Sequence, residues 1–130
     1  MGNYQNILKT DNFIAGRWET SDVAGAPLVV TDKYTMEPLA EVSIAGERDM
    51  EAAISEAVAA VKRLRAMHAE GRAAGLEKVA DLLESREDDF VDMIVREAGK
   101  PVGYAQGEIA RCLVTLRTAA AEALRFGGEY

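Results

Sequence analysis

The sequence is poor in the residues that cross-link chains, bind metals and enter membranes. Its 130 residues include one cysteine and one histidine, and its apolar runs are only a few residues long. A single cysteine cannot form a disulfide within the chain, and no basic start precedes an apolar run at the N-terminus, so we expect a cytoplasmic protein rather than a secreted one. Apolar runs far below the roughly 20 residues that span a bilayer predict that the chain does not insert into a membrane.

Basic residues are also scarce relative to acidic ones. The chain has 15 Lys and Arg against 22 Asp and Glu, which gives a net charge of -7 and a pI near 4.8. An acidic surface repels phosphate groups, so the composition argues against a nucleic-acid partner and against binding to anionic lipid. The hydrophobic fraction of 48% suits one ordinary domain with a moderate core.

The first third of the chain reads as short strands after a lead-in at residues 1–11 that shows no regular period. Residues 12–18 predict a hairpin that turns at Ala15-Gly16, because glycine supplies the positive φ that a tight turn needs. The β-branched run Leu28–Thr31 predicts a strand that is buried on both faces or nearly so. Beyond Pro38, the alternation of apolar and polar residues up to Ile44 predicts a strand with one wet face.

The remainder reads as four helices, which makes the fold class α/β, with short antiparallel β-hairpins followed by α-helices. Apolar residues recur at helical spacing over about 47–66, from about Ala69 to Ser85, around Phe90, and from about Pro101 to Gly127-Gly128. Ser85 has the form of a cap for the third helix, and Gly99 is expected to end it. The long last helix needs more partner surface than this chain offers, so we expect contact with another part of a larger protein or with a second copy, as in a homo-oligomer.

Neither of the two rarest reactive side chains makes a convincing catalyst. His68 lies between two predicted helices, with no second histidine or cysteine at metal-ligand spacing. Cys112 lies on the apolar stripe of the last helix, where a lone cysteine is usually a small buried hydrophobe. Arg111 is next to it in sequence but about 100° around the helix, so it does not activate the thiol directly.

Glycine motifs for nucleotides are also absent. Gly99-Lys100 fails as a phosphate-binding loop, because Ile94 and Pro101 stand where that motif requires glycine and Ser or Thr. The sequence contains no G-x-G-x-x-G fingerprint for a dinucleotide. Residue types and spacing alone therefore predict no catalytic residue and no cofactor-binding residue in this chain.

Several ordered strings, taken together, resemble the N-terminal region of the aldehyde dehydrogenase superfamily. The resemblance covers Asn12 to Tyr130 without a large gap. It implies that residues 12–130 correspond to strands of the oligomerisation region and to the helical flank of a Rossmann-like cofactor-binding domain. The strings are Asn12-Phe13-Ile14-Ala15-Gly16-Arg17-Trp18, Asp32-Lys33-Tyr34-Thr35 with Glu37, Arg96-Glu97-Ala98-Gly99-Lys100-Pro101, Glu108-Ile109-Ala110-Arg111, and Ala121-Glu122-Ala123-Leu124-Arg125-Phe126-Gly127-Gly128-Glu129.

The resemblance implies an oxidoreductase that uses NAD or NADP to convert a small aldehyde to its carboxylic acid. In that family a cysteine thiolate attacks the aldehyde, hydride passes to the nucleotide, and a glutamate-activated water releases the acid. The family's cysteine, glutamate, oxyanion-hole asparagine and nucleotide loops all lie beyond Tyr130, so the isolated chain is expected to be inactive. The alternative is a stand-alone helical protein-interaction module descended from such an enzyme.

Two strings look most like the branch that includes lactaldehyde, non-phosphorylating glyceraldehyde-phosphate and phosphonoacetaldehyde dehydrogenases. In that branch the position matched by Arg111 can hold an anionic group of the substrate through guanidinium hydrogen bonds. The alternative for Arg111 is an ordinary surface or interhelical salt bridge. Family members also often hold a monovalent cation near the positions matched by Thr31 and Glu97, whose oxygens suit a hard cation. The alternative for Glu97 is that it merely ends a helix.

Overall fold

A computed structural model describes residues 2–21 and 25–125. The chain divides into two compact units, one formed by Leu8–Ala66 and the other by Met1–Ile7 together with Met67–Tyr130. Short antiparallel strand pairs lie in the first unit and three of the four helices in the second, which confirms the predicted fold class. We describe each unit in turn.

The predicted hairpin opens the strand-containing unit. Strand β1 (Asn12–Ile14) pairs antiparallel with β2 (Arg17–Glu19). Ala15 and Gly16 have φ values of 52° and 81°, so both central turn residues are left-handed, as a tight two-residue hairpin requires. The Phe13 and Trp18 rings contact each other across the pair, with centroids 5.0 Å apart and planes tilted by 50°.

A second, separate pair follows, with β3 (Leu28–Thr31) antiparallel to β4 (Pro38–Val42). The prediction that β3 is buried on both faces is wrong, because Leu28 and Val29 are 58% and 48% exposed. A two-stranded sheet has one partner strand, which cannot cover both of its faces. The predicted fourth strand is present but ends at Val42, since the amide of Ser43 donates to the carbonyl of Thr10 instead.

Helix α1 (Glu47–Ala66) completes this unit and matches its prediction. Its start is fixed by Asp49, whose carboxylate accepts hydrogen bonds from the Ser21 hydroxyl and, at 2.7 Å, from the Gly46 amide. The hydrogen bond from Ser21, and then that from Gly46, lowers the pKa of Asp49 below its usual range. Asp49 therefore stays ionised and caps a helix end whose amides lack partners within the helix.

The second unit is built from α2 (Ala69–Glu84), α3 (Glu87–Ala98) and α4 (Val102–Arg125). Alanines on α2, fully buried at Ala80, let its backbone approach α4 closely. Helix α4 has 24 residues and is about 36 Å long, as expected; the Gly127-Gly128 stop lies outside the described residues. The core of this unit consists of Ala80, Val91, Ala105, Ile109 and Leu113.

The prediction for the C-terminal end of α3 is confirmed, and that for its N-terminal end is wrong. Gly99 ends the helix as predicted, with a φ of 67° and its amide bonded to the Val95 carbonyl. The predicted Ser85 cap is wrong, because the Ser85 hydroxyl donates to the Leu82 carbonyl at the end of α2 and Arg86 takes the cap position. Three carboxylates in the first turn of α3 offset its dipole in place of a side-chain cap; they are Glu87, Asp88 and Asp89.

The lead-in has local structure that the sequence pattern does not predict. Tyr4–Asn6 form a short 3₁₀ turn against α3. The Asn3 amide donates to Asp89 Oδ1 at 2.8 Å, and the Tyr4 amide donates to Asp92 Oδ2 at 3.0 Å. These contacts correct the expectation of a lead-in without regular structure, and they join residues more than eighty positions apart, which periodicity cannot reveal.

Candidate functional site

A cluster of three charged side chains lies near the start of α4 and consists of Lys100, Glu108 and Arg111. Gly99 ends α3, and the proline that follows Lys100 cannot continue a helix, so Lys100 lies in the short connection before α4. Glu108 and Arg111 stand three positions apart on α4, which places them on neighbouring turns. Lys100 Nζ lies 2.8 Å from Glu108 Oε1, and Arg111 Nη2 donates to Glu108 Oε2.

The two cations strongly stabilise the ionised form of Glu108. The hydrogen bond from Lys100, followed by that from Arg111, lowers the pKa of Glu108 to about 2. In return, Glu108 raises the pKa of Arg111 above its usual value. At neutral pH the cluster therefore has two positive charges and one negative charge, a net charge of about +1 on an otherwise acidic protein.

Arg111 is the most accessible member of this cluster. Its side chain is 75% exposed, whereas those of Lys100 and Glu108 are 44% and 36% exposed. A guanidinium carries five N–H donors in a planar fork, and Nη2 is the atom that Glu108 engages. The arrangement can thus offer donors to a carboxylate, sulfonate or phosphate group while Glu108 and Lys100 hold the arginine near the start of α4.

The two residues predicted to hold a cation belong to different units. Thr31 is half-buried at the end of β3, and its Oγ1 lies 3.4 Å from Lys33 Nζ. Glu97 is exposed in the last turn of α3, which agrees with the simpler interpretation that it ends a helix. Residues 2–21 and 25–125 contain no group of three or more His, Cys, Asp or Glu side chains arranged to hold a metal ion.

The structure also shows where the two rarest reactive side chains, His68 and Cys112, lie. His68 caps α2 through its backbone, its carbonyl accepting from the Arg72 amide, and its side chain makes no capping hydrogen bond. Cys112 is exposed, which corrects the expectation of a buried cysteine. It lies at the edge of the stripe by which α4 packs on α2, and neighbouring Ile109 and Leu113 fill the core instead.

Lys100 is the member of the cluster that the sequence pattern missed. Lys100 belongs to a phosphate-loop pattern that fails and to the string from Arg96 to Pro101, but neither pairs it with Glu108. The two residues are eight positions apart, beyond the i to i+4 spacing that pairs charges on one helix. The sequence nevertheless contains a pattern that could have indicated this contact. Gly99 and Pro101 flank Lys100, which places the lysine in a short connection directly before α4.

Among the described residues, no helix combines the length and the apolar character needed to cross a membrane.

Comparison with known proteins gives consistent matches along the chain. The model of the aldehyde dehydrogenase family matches residues 18–130. The chain is 36% identical over 117 residues to 3-sulfolactaldehyde dehydrogenase of Priestia megaterium, covering 90% of this chain and 24% of the relative. It is 34% identical over 123 residues to human mitochondrial succinate-semialdehyde dehydrogenase, covering 95% and 22%.

A solved structure gives the same result for the fold. The crystal structure of an Escherichia coli NADP-dependent enzyme matches with a TM-score of 0.89 at 29% identity, over 96% of this chain and 26% of that one. The chain thus spans about a quarter of the length of the proteins it matches.

Proposed function

The chain belongs to the aldehyde dehydrogenase family, and we propose that it forms the N-terminal part of an NAD(P)-dependent enzyme that oxidises a small, anionic aldehyde to its carboxylic acid. The observation that carries the substrate class is the exposed guanidinium of Arg111, held by Glu108. The names of two similar relatives support this substrate class. One is named for 3-sulfolactaldehyde, which carries a sulfonate, and the other for succinate semialdehyde, which carries a carboxylate. The branch resemblance noted in the sequence points to the same substrate class.

Arg111 would act by binding the anionic end of the substrate and so orienting its aldehyde. A guanidinium binds a carboxylate or sulfonate through two parallel N–H bonds, which fix the direction of the ligand as well as holding it. Glu108 competes with the substrate anion for one of these donors, because it accepts a hydrogen bond from Arg111. Lys100 weakens that competition, because it also donates to the Glu108 carboxylate. The alternative role, a surface ion pair within α4, would matter little for substrate binding.

This chain would supply scaffold and substrate orientation rather than the reacting groups. NAD or NADP, when bound, supplies the hydride acceptor, and the E. coli enzyme that this chain resembles is described as NADP-dependent. The sequence has no glycine fingerprint for a dinucleotide, so we assign none of its residues to the cofactor. We therefore propose that the chain alone makes no reduced nucleotide.

A monovalent cation held by Thr31 and Glu97 remains part of the proposal for the intact enzyme. Carbonyl and carboxylate oxygens are suitable ligands for a hard cation. The hydroxyl of Thr31 accepts a hydrogen bond from Lys33 Nζ at 3.4 Å. We therefore expect the cation to use the Thr31 carbonyl and the Glu97 carboxylate.

The proposed setting is a cytoplasmic homo-oligomer in which this chain contacts the remainder of the enzyme or a second copy. A second candidate, an interaction module without enzymatic activity, is favoured by the many exposed large hydrophobic side chains. Both functions need a partner surface, but only the first requires aldehyde chemistry.

The deciding experiment uses a chimera in which this chain replaces the matching part of human mitochondrial succinate-semialdehyde dehydrogenase. We expect the chimera to reduce NAD or NADP when given succinate semialdehyde, and the isolated chain to reduce neither. The absorbance of the reduced nicotinamide is the measurement. A folded chimera without any aldehyde-dependent signal would favour the interaction module.

A further inference from the structure

Lys100 has one ionic partner, Glu108, in the part of the chain that the structure describes. Lys100 Nζ lies 2.8 Å from Oε1 of Glu108, and Arg111 Nη2 donates to the other oxygen, Oε2. The carboxylate is therefore divided between two cations, with one oxygen for each. The hydrogen-bonded path from Lys100 to Arg111 thus runs through Glu108.

The backbone holds Lys100 in place independently of the exposed face of α4. Gly99 ends α3 with a φ of 67°, and Pro101 disfavours a helical conformation at the residue before it. The carbonyl of Pro101 accepts from two amides near the start of α4. Lys100 therefore reaches Glu108 from the connection that precedes the helix, whereas Arg111 reaches it from the following turn.

Glu108 decides how much of the guanidinium is open to another anion. The hydrogen bond from Lys100, and then that from Arg111, lowers the pKa of Glu108 to about 2, so the carboxylate is charged at neutral pH. A charged carboxylate can accept two parallel N–H bonds from one guanidinium. Because Lys100 holds Oε1, only Oε2 is bonded to Arg111, and the remaining donors stay available.

We propose that Lys100 is a positioning residue for the substrate contact of Arg111, because it retains Oε1 of Glu108 and so prevents that carboxylate from forming a two-bond pair with the guanidinium. The inference rests on the proposed function, in which Arg111 binds the anionic end of the aldehyde. Without the ammonium, the substrate has to displace a bidentate carboxylate instead of sharing the guanidinium with a monodentate one. The affinity for an anionic substrate then falls although no group that touches the substrate has changed.

Two other roles of Lys100 predict different behaviour. Its side chain is 44% exposed, so one alternative is that the ammonium binds the substrate anion directly, which would not require Glu108. The other is that Lys100 only ties the connection between α3 and α4 to the helix, which would not distinguish charged from neutral aldehydes. A double-mutant cycle separates these roles, because it measures whether the effect of one residue depends on the other.

The cycle combines Lys100→Met and Glu108→Gln, singly and together, in the chimera. We expect Lys100→Met to raise KM for succinate semialdehyde about 2- to 5-fold, the size that one exposed ion pair explains, with little change in kcat. The same substitution should have no effect once Glu108 is replaced, because no carboxylate then competes for Arg111. Lys100→Arg, which keeps a cation at this position, should recover the parent KM.

The controls vary the substrate and the position of the lost charge. KM for butanal, a neutral aldehyde, should not change with Lys100→Met. The matched substitution Lys78→Met removes the same charge from an exposed position on α2. It should leave KM for succinate semialdehyde unchanged.

A second measurement uses the isolated chain and does not depend on activity. NMR follows rotation of the Arg111 guanidinium about its Nε–Cζ bond, which slows when a carboxylate holds two of its N–H groups. Lys100→Met should slow this rotation, because Glu108 then engages Arg111 with both oxygens. Lys78→Met should not change it.

Several results would overturn the proposal. A rise in KM that persists in the Glu108→Gln background would assign Lys100 a direct contact with the substrate, and an equal rise for butanal would leave it a structural role alone. An unchanged KM for succinate semialdehyde, or an unchanged rotation of Arg111, would show that Lys100 does not limit the hold of Glu108. A chimera that oxidises no aldehyde refutes the proposed function, and the NMR measurement then still decides whether Lys100 controls Arg111.

Discussion

Lys100 Nζ and Glu108 Oε1 lie 2.8 Å apart and tie the connection between α3 and α4 to the second turn of α4. Glu108 also accepts from Arg111, so one carboxylate links a residue of the connection to a residue further along the helix. The orientation of Arg111 thus depends on how α3 ends as well as on its own position in α4. This dependence links the helix-terminating Gly99 to the proposed substrate contact.

Replacing Glu108 with glutamine should reduce the stability of the isolated chain in a pH-dependent way. The folded pKa of about 2 lies below the ordinary value of 4.5, so the charged carboxylate stabilises the fold above the unfolded pKa. That contribution is lost as pH falls through the interval between these values. Urea unfolding of the parent and Glu108→Gln should differ at neutral pH and converge as the pH approaches 2.

The matched control is Glu122→Gln, on the same helix, which removes an exposed i to i+3 pair with Arg125. Its effect should be smaller, since Glu122 has one cationic partner among the described residues and Glu108 has two. Added salt should reduce both differences, because exposed ion pairs are screened. A Glu108→Gln effect that is independent of pH would contradict the proposed cause.

Replacing Gly2 with alanine should release the N-terminal turn from α3. A Cβ atom at Gly2 would lie 2.0 Å from the Asp88 carbonyl oxygen, far inside contact distance. The backbone must shift, which would weaken the hydrogen bonds from Asn3 to Asp89 and from Tyr4 to Asp92. Hydrogen exchange at the Asn3 and Tyr4 amides should become faster, and unchanged protection would show that the turn tolerates the methyl group.

The hairpin turn and the helix ends show where prediction from sequence succeeded and where it failed. Gly16 and Gly99 were placed correctly because a left-handed backbone is a local requirement that one residue type satisfies best. The Ser85 cap was predicted wrongly because the hydroxyl can either donate to a carbonyl at the end of α2 or accept from an amide at the start of α3. In the structure it donates to the Leu82 carbonyl.

Long-range partners account for what the sequence left undetermined. Within the candidate site, family resemblance identified Arg111. The contact of Lys100 with Glu108 depends on the connection between two helices, so the sequence pattern did not predict it. The exposure of Leu28 depended on how many strands its sheet contains, which a strand's own composition does not specify.

Replacing Gly107 with alanine should stabilise the isolated chain. Gly107 lies within α4, and a Cβ atom built there meets no described atom within 4 Å. Alanine loses less conformational entropy on entering a helix, so we expect a gain of about 1 kcal/mol in the free energy of unfolding. Chemical denaturation measures it, with Ala110→Gly on the same exposed side as the reverse control; a loss of stability would show that this surface is already in contact with another group.

Replacing Arg111 with methionine in the chimera should impair the use of anionic aldehydes selectively. Loss of a charged hydrogen-bonding partner should raise KM for succinate semialdehyde by about 10- to 100-fold. KM for a neutral aldehyde of similar length, such as butanal, should change little, because that substrate offers no anion to the guanidinium. Arg111→Lys should recover part of the loss, since an ammonium retains the charge but not the planar fork. Equal losses for both aldehydes would assign Arg111 to the structure of α4 alone, with its contact to Glu108 as its whole role.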